Sequence, residues 1–152
     1  MKQVILFFVF FSSALFGNAQ EQKRIQSFNL EDGLAVQGYD VVAYFTEGKA
    51  VKGSAANTVF YQGVKYRFSS VANKEEFKKN PSKYEPQYGG WCAFAMGDYG
   101  EKVEIDPETF KIVNGKLYLF YNKRLNNTLK SWNKNEASLK SKADLNWAKF
   151  FH

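Results

Sequence analysis

The stretch "TFKIVNGKLYLFYN" constrains the fold more than any other part of the chain. Two runs of alternating apolar residues flank Asn114-Gly115. A two-residue turn in which both central residues take positive φ matches the twist of paired strands, and Asn-Gly adopts it with little strain. The pattern predicts a β-hairpin. "TVFYQGVKYRFSS" repeats the arrangement around Gln62-Gly63, so a second hairpin is expected. Ser69 or Ser70 is placed to cap a helix over "SVANKEEFKKN", and Pro81 ends that helix and opens another turn at "PSKY".

The segments around the hairpins are read by their period. "YDVVAYF" is β-branched and aromatic and reads as extended. Towards the C-terminus, Leu125, Leu129 and Trp132 fall at i, i+4 and i+7, and Leu139, Ala143, Trp147 and Phe150 follow nearly the same spacing. These are amphipathic helices whose apolar stripes need a core to cover them. The expected fold is a small single α+β domain with two β-hairpins and several short helices, the C-terminal helices packed on the core.

The first residues carry a different signal. Lys2 precedes the apolar run "VILFFVFFSSALF", and Gly17 and Ala19 offer small residues for cleavage. Residues 1–19 read as a secretory signal peptide, and the protein is expected to be periplasmic or secreted. No later run is apolar enough for a membrane helix. Residues 20–33 are polar and read as a flexible lead-in, and the folded domain is expected over 34–152. Aromatic residues make up 18% of the chain, and there is one cysteine. An intrachain disulfide is therefore excluded, and packing or a ligand must supply stability.

Charge is unevenly distributed. Residues 20–121 carry 13 basic and 13 acidic side chains, and residues 122–152 carry 7 basic and 2 acidic ones. The C-terminal surplus reads first as the solvated face of terminal helices and second as a peripheral contact with an anionic surface. No basic patch with interleaved aromatics is present, so nucleic acid is not an expected partner.

The lone cysteine lies in "QYGGWCAFAMG". Gly89-Gly90 permits unusual φ and close backbone approach. "WCAFAM" lacks breakers and reads as a short buried helix with Cys92 in its first turn. Met96, four residues on, would share its face. A thiolate and a thioether together suit a soft ion such as Cu(I). Burial as simple core filler is the competing reading, because cysteine and methionine both pack well. The aromatic residues Tyr39, Tyr88 and Trp91 stand as candidate walls of a ligand pocket beside Cys92, with Tyr44 and Phe94 in the same surround.

The motifs "GLAVQGYDVVAYF", "YQGVKYRFSS", "EEFKKNPSKYEPQYGGWCAFAM" and "DPETFKIVNGKLYLFYN" resemble the exported, single-domain bacterial branch of the YHS-domain family. The resemblance runs from about Leu34 to Trp147. It implies a compact α+β domain and, from relatives attached to metal-handling proteins, contact with heavy metals through cysteines. At the positions that would match those cysteines the chain has Ala43, Ser69 and Asn73.

Two functions follow as expectations. The first is soft-metal binding or trafficking in the periplasm through Cys92 and Met96, with Cu(I) as the candidate ion. The second is a non-catalytic module binding a small ligand or partner in an aromatic pocket beside Cys92. An enzyme is not expected: the only histidine is His152, so no Cys-His pairing is apparent. A redox role would lack a resolving cysteine within the chain.

Overall fold

The structure, a computed structural model, describes Gly17 and residues 19–151. The signal-peptide reading of residues 1–19 therefore falls almost wholly outside the described residues, as does His152. The expected α+β architecture is found. A helix over 19–27, α1, leads into β1 (Leu30–Glu31) and β2 (Leu34–Ala35), followed by the short helix α2 (Ala43–Thr46). The first expected hairpin is β3 (Ser54–Tyr61) and β4 (Val64–Phe68), and helices α3 (Val71–Lys79) and α4 (Pro81–Tyr84) come next. Then come α5 (Ala93–Asp98), the second expected hairpin β5 (Asp106–Val113) and β6 (Lys116–Phe120), a small hairpin β7 (Asn122–Lys123) and β8 (Asn126–Asn127), and the terminal helices α6 (Thr128–Lys134) and α7 (Glu136–Phe151). One sheet has the order β1-β2-β4-β3, and β5-β6 and β7-β8 form separate two-stranded sheets. Among the described residues no helix is long and apolar enough to cross a membrane.

Strand β6 is buried on both faces and divides the core. Its alternate side chains serve opposite sides, as the two-residue repeat of a strand requires. Leu117 and Leu119 join Val42, Tyr44, Tyr66, Phe68, Phe77 and Cys92 in one cluster. Tyr118 and Phe120 join Met96, Trp132, Leu139 and Ala143 in the other. The terminal helices are thus part of the domain. Helix α5 meets α7 at Gly97, where an added Cβ would stand 2.4 Å from the Leu139 carbonyl oxygen. Glycine lets the two helices approach at that point.

Three readings of the sequence need correction. Residues 20–33 are not a flexible lead-in. They form most of α1 and all of β1, with Phe28 in the core. Arg24 anchors the segment: its guanidinium is paired with Glu85 and donates to the Gln62 carbonyl at 3.3 Å. It also lies 4.5 Å from the centroid of the Phe28 ring. "YDVVAYF" does not continue as a strand but turns into α2. Its Val42 and Ala43 amides donate to Asp40 Oδ1 at 2.9 and 3.3 Å, so a local cap overrides β-propensity. Leu125 does not open the α6 stripe. It stands fully exposed on the β7–β8 turn, because Asn127 caps α6 by accepting from the Leu129 amide at 3.1 Å.

Asp40 joins the two halves of the first core. It has no exposure to solvent. Its Oδ2 accepts from the Ser69 amide at 2.8 Å, the Ser69 hydroxyl at 2.6 Å and Asn73 Nδ2 at 2.8 Å. Every donor is a neutral group that only a carboxylate can satisfy all at once. Asp40→Asn should therefore lower stability by about 2–4 kcal/mol, because one amide NH2 would face donors on one side or the other. Chemical denaturation reads this directly, and an unchanged midpoint would show that the network contributes nothing. Trp132 is fully buried and Trp147 only partly so. Trp132→Ala should cost about 3–5 kcal/mol and Trp147→Ala clearly less, both measured by the same denaturation midpoint.

Candidate functional site

Backbone geometry places Cys92. Tyr88, Gly89 and Gly90 take successive positive φ values of 56°, 59° and 85°, which turn the chain sharply before α5. Only the glycines accept that conformation without a Cβ penalty. At Gly89 a Cβ would also come within 2.8 Å of both Phe28 Cδ1 and Trp147 Cη2. The segment then runs beside β6, with parallel bridges Pro86–Leu117 and Cys92–Leu119. The Cys92 amide donates to the Val103 carbonyl at 2.9 Å.

Cys92 is the N-cap of α5, one position before its first turn, with φ −58° and ψ 116°. Its side chain leaves the helix from extended backbone, and the helical repeat does not align it with Met96. The thiol has its own neighbours. Sγ lies 3.4 Å from Thr128 Oγ1 and accepts from the Tyr121 amide at 3.4 Å. Thr128 Oγ1 also donates to the Tyr121 carbonyl at 2.9 Å. Met96 packs in the other core cluster, with Tyr118, Phe120 and Trp132. The structure therefore sets the two candidate ligands in separate clusters. Among the described residues no three His, Cys, Asp or Glu side chains are grouped to hold a metal ion. Among the described residues the donor set does not make up a self-contained soft-metal site.

A pocket of about 440 Å³ opens over Cys92. Phe94, Tyr99 and Tyr121 form its aromatic walls, with Ala95 and Val103; Asn126, Thr128 and Ser131 supply amide and hydroxyl groups. Phe94 and Tyr99 meet edge to face, with centroids 5.9 Å apart. Cys92 itself is fully buried. None of the lining residues is an aspartate, glutamate, lysine, arginine or histidine. The volume falls in the range of small-molecule sites, about 300–1,000 Å³.

Of the aromatic surround expected beside the cysteine, Phe94 lines this pocket, while Tyr39, Tyr88 and Trp91 are placed elsewhere. Tyr39 packs on the edge of the first cluster without lining this pocket, and is bridged to Lys52, whose Nζ sits 5.5 Å from the ring centroid. Tyr88 is buried in the second cluster and donates its hydroxyl to Asp144 Oδ1 at 2.9 Å. Burial, and next that hydrogen bond to Asp144, push its phenol well above the usual tyrosine range. It lines a different cleft of about 310 Å³, with Arg24, Glu85 and Trp147. Trp91 donates from Nε1 to the Ser27 carbonyl at 2.7 Å and so ties α1 to the cysteine segment. Tyr99 follows Met96 by three residues, and Tyr121 directly follows β6. Spacing within the motif marks Tyr99 as a neighbour of the helix face, but nothing local marks Tyr121, which reaches Cys92 across 29 residues.

Ala43, Ser69 and Asn73 are brought together. All three donate to the Asp40 carboxylate: the Ala43 amide to Oδ1, and Ser69 and Asn73 to Oδ2. This cluster, buried at Asp40 and Ala43 and half-buried at Ser69 and Asn73, is satisfied by hydrogen bonds and holds no thiol.

The model of the YHS domain matches residues 42–88. No curated protein and no solved structure matched the chain. The matched segment contains α2, the β3–β4 hairpin, α3, α4 and the Asp40 partners, and it ends at Tyr88, before Cys92. Over those residues the chain is similar to a YHS domain, and the pocket is built from residues beyond them.

Proposed function

We propose that the chain is an exported, non-catalytic binding domain. Its site is the pocket over Cys92, and its ligand is a small, uncharged, largely aromatic or apolar molecule with one or two hydrogen-bonding groups. The observation that carries this reading is the lining. Three aromatic side chains and three neutral polar ones surround about 440 Å³ with no formal charge among them. A charged ligand entering that pocket would lose water without gaining a counter-charge. The export half of the proposal rests on the apolar run and the small residues before Gln20. The non-catalytic half rests on the same lining: no carboxylate, imidazole or amine stands there to act as base for the thiol.

Soft-metal handling is the second reading. The similarity of residues 42–88 to the YHS domain and the soft sulfur of Cys92 at the pocket support it. Under this reading the remaining ligands come from a bound small molecule or a partner, since Met96 packs elsewhere.

Amide shifts of Tyr121 and Thr128 in a titration with indole should move and saturate, while indole-3-acetate and tryptamine bind more weakly. Tyr99→Ala should weaken indole by roughly tenfold, about 1.4 kcal/mol, and Ser131→Trp should abolish binding by filling the space. Equal response to all three probes, or none to any, would remove the neutral-pocket reading.

Cu(I) competition against a chelator separates the second reading. The pocket reading expects wild type and Cys92→Ser to compete equally poorly, and the metal reading expects uptake that the substitution abolishes. The burial of Cys92 also predicts that iodoacetamide labels it only as fast as the domain opens. Rapid labelling of the native protein would instead point to thiol chemistry.

A further inference from the structure

The β7–β8 turn departs from a rule that the chain otherwise keeps. Four hairpins close through two residues with positive φ. Three place glycine second: Asp32-Gly33 at 52° and 76°, Gln62-Gly63 at 46° and 79°, and Asn114-Gly115 at 51° and 71°. The fourth is Arg124-Leu125 at 51° and 69°. A branched side chain in the left-handed region is strained by its Cβ, and glycine would relieve it here as it does in the other three. Leu125 receives nothing in exchange from the fold. It is the most exposed large apolar residue described, at 107% relative exposure.

The sequence around the tip is basic. From Asn122 to Asn135 the chain carries Lys123, Arg124, Lys130 and Lys134 and no acidic residue. Lys123 pairs with Glu104 at 3.3 Å. Among the described residues Arg124, Lys130 and Lys134 make no ion pair. The hairpin also borders the pocket, because Asn126 and Thr128 line it and the exposed Tyr99 forms its wall.

We infer that the Arg124-Leu125 tip is a docking point for an anionic lipid surface, and that it brings the mouth of the Cys92 pocket to that surface. A fully exposed leucine on a convex tip fits a deformable apolar layer, which needs no preformed socket. Arg124 at the tip, with Lys130 and Lys134 on the helix that follows, makes no ion pair among the described residues, and such cations match anionic headgroups, each worth about fivefold in partitioning near the surface. Surface-exposed strain retained at one turn out of four is what a contact outside the fold would explain. The lipid contact is independent of what the pocket binds, and only the delivery of ligand rests on the pocket reading.

The test compares the full chain with R124N/L125G, which installs the turn chemistry of the other hairpins. Any contribution of residues 1–19 is common to both. Co-sedimentation uses phosphatidylcholine vesicles with and without phosphatidylglycerol. The wild type should favour the anionic vesicles and lose them at high salt. The variant should bind them at least about tenfold more weakly, while its thermal midpoint rises by roughly 4 °C and its indole titration is unchanged. L125N with the native Arg124 and R124E with the native Leu125 keep the test decisive should the double variant misfold, and each should bind less. Equal binding by wild type and variants, no preference for anionic vesicles, or binding only to an acidic protein surface would overturn the inference. A failed indole titration with intact vesicle binding would remove the pocket reading alone.

Discussion

The buried carboxylate of Asp40 is the contact on which the rest of the first core depends. Burying a charge costs several kcal/mol unless hydrogen bonds replace the lost water. Here Val42, Ala43, Ser69 and Asn73 supply them. The donors come from three places in the chain: the start of α2, the end of β4 and the first turn of α3. One side chain thereby fixes a helix start, a strand end and a second helix against each other. Tyr44 and Phe68 can then reach the same apolar cluster. Tyr44 also donates its hydroxyl to the Pro107 carbonyl at 2.8 Å, which carries the arrangement across to the β5–β6 hairpin.

That hairpin explains why the two sulfurs part company. β6 has a core on each side, so whatever packs against it must choose a face. The Cys92 bridge to Leu119 puts the thiol with the first cluster, and the helix that starts one residue later turns Met96 towards Tyr118 and Trp132. A helical period drawn through both residues assumes that both have helical backbone. Cys92 does not, because the sharp Tyr88-Gly89-Gly90 turn delivers it in an extended conformation.

Much of the fold was legible because local signals and tertiary demand agreed. Asn114-Gly115 and Gln62-Gly63 sit between alternating apolar runs, and both hairpins form there. Ser70 caps α3 by accepting from the Asn73 amide at 3.1 Å, and Pro81 opens α4. The stripe of Leu139, Ala143 and Trp147 meets the core as its spacing requires. The misreadings lie where a distant group decides. α1 is polar in sequence, yet Arg24 is held by Glu85, 61 residues away. α2 looks like a strand until Asp40 caps it. Leu125 has helical spacing, yet Asn127 starts the helix after it. The site was legible as a place and not as a set of walls: Cys92 and Phe94 are neighbours in sequence, whereas Tyr121, Asn126, Thr128 and Ser131 arrive through the β5–β6 hairpin and the turn after it.

The same geometry limits what a family resemblance carries across. The segment similar to the YHS domain, residues 42–88, holds the Asp40 partners, and it does so with backbone amides, a hydroxyl and a carboxamide. Those groups close a buried carboxylate and leave it no valence for an ion. The pocket is formed by residues from Cys92 to Ser131, outside the matched segment. Scaffold and site therefore come from different stretches of one chain. A change in the second stretch can alter the pocket lining without touching the hydrogen bonds that hold the first. Resemblance in the scaffold then speaks to how the domain folds, and the aromatic lining over Cys92 is set by residues that the resemblance does not cover.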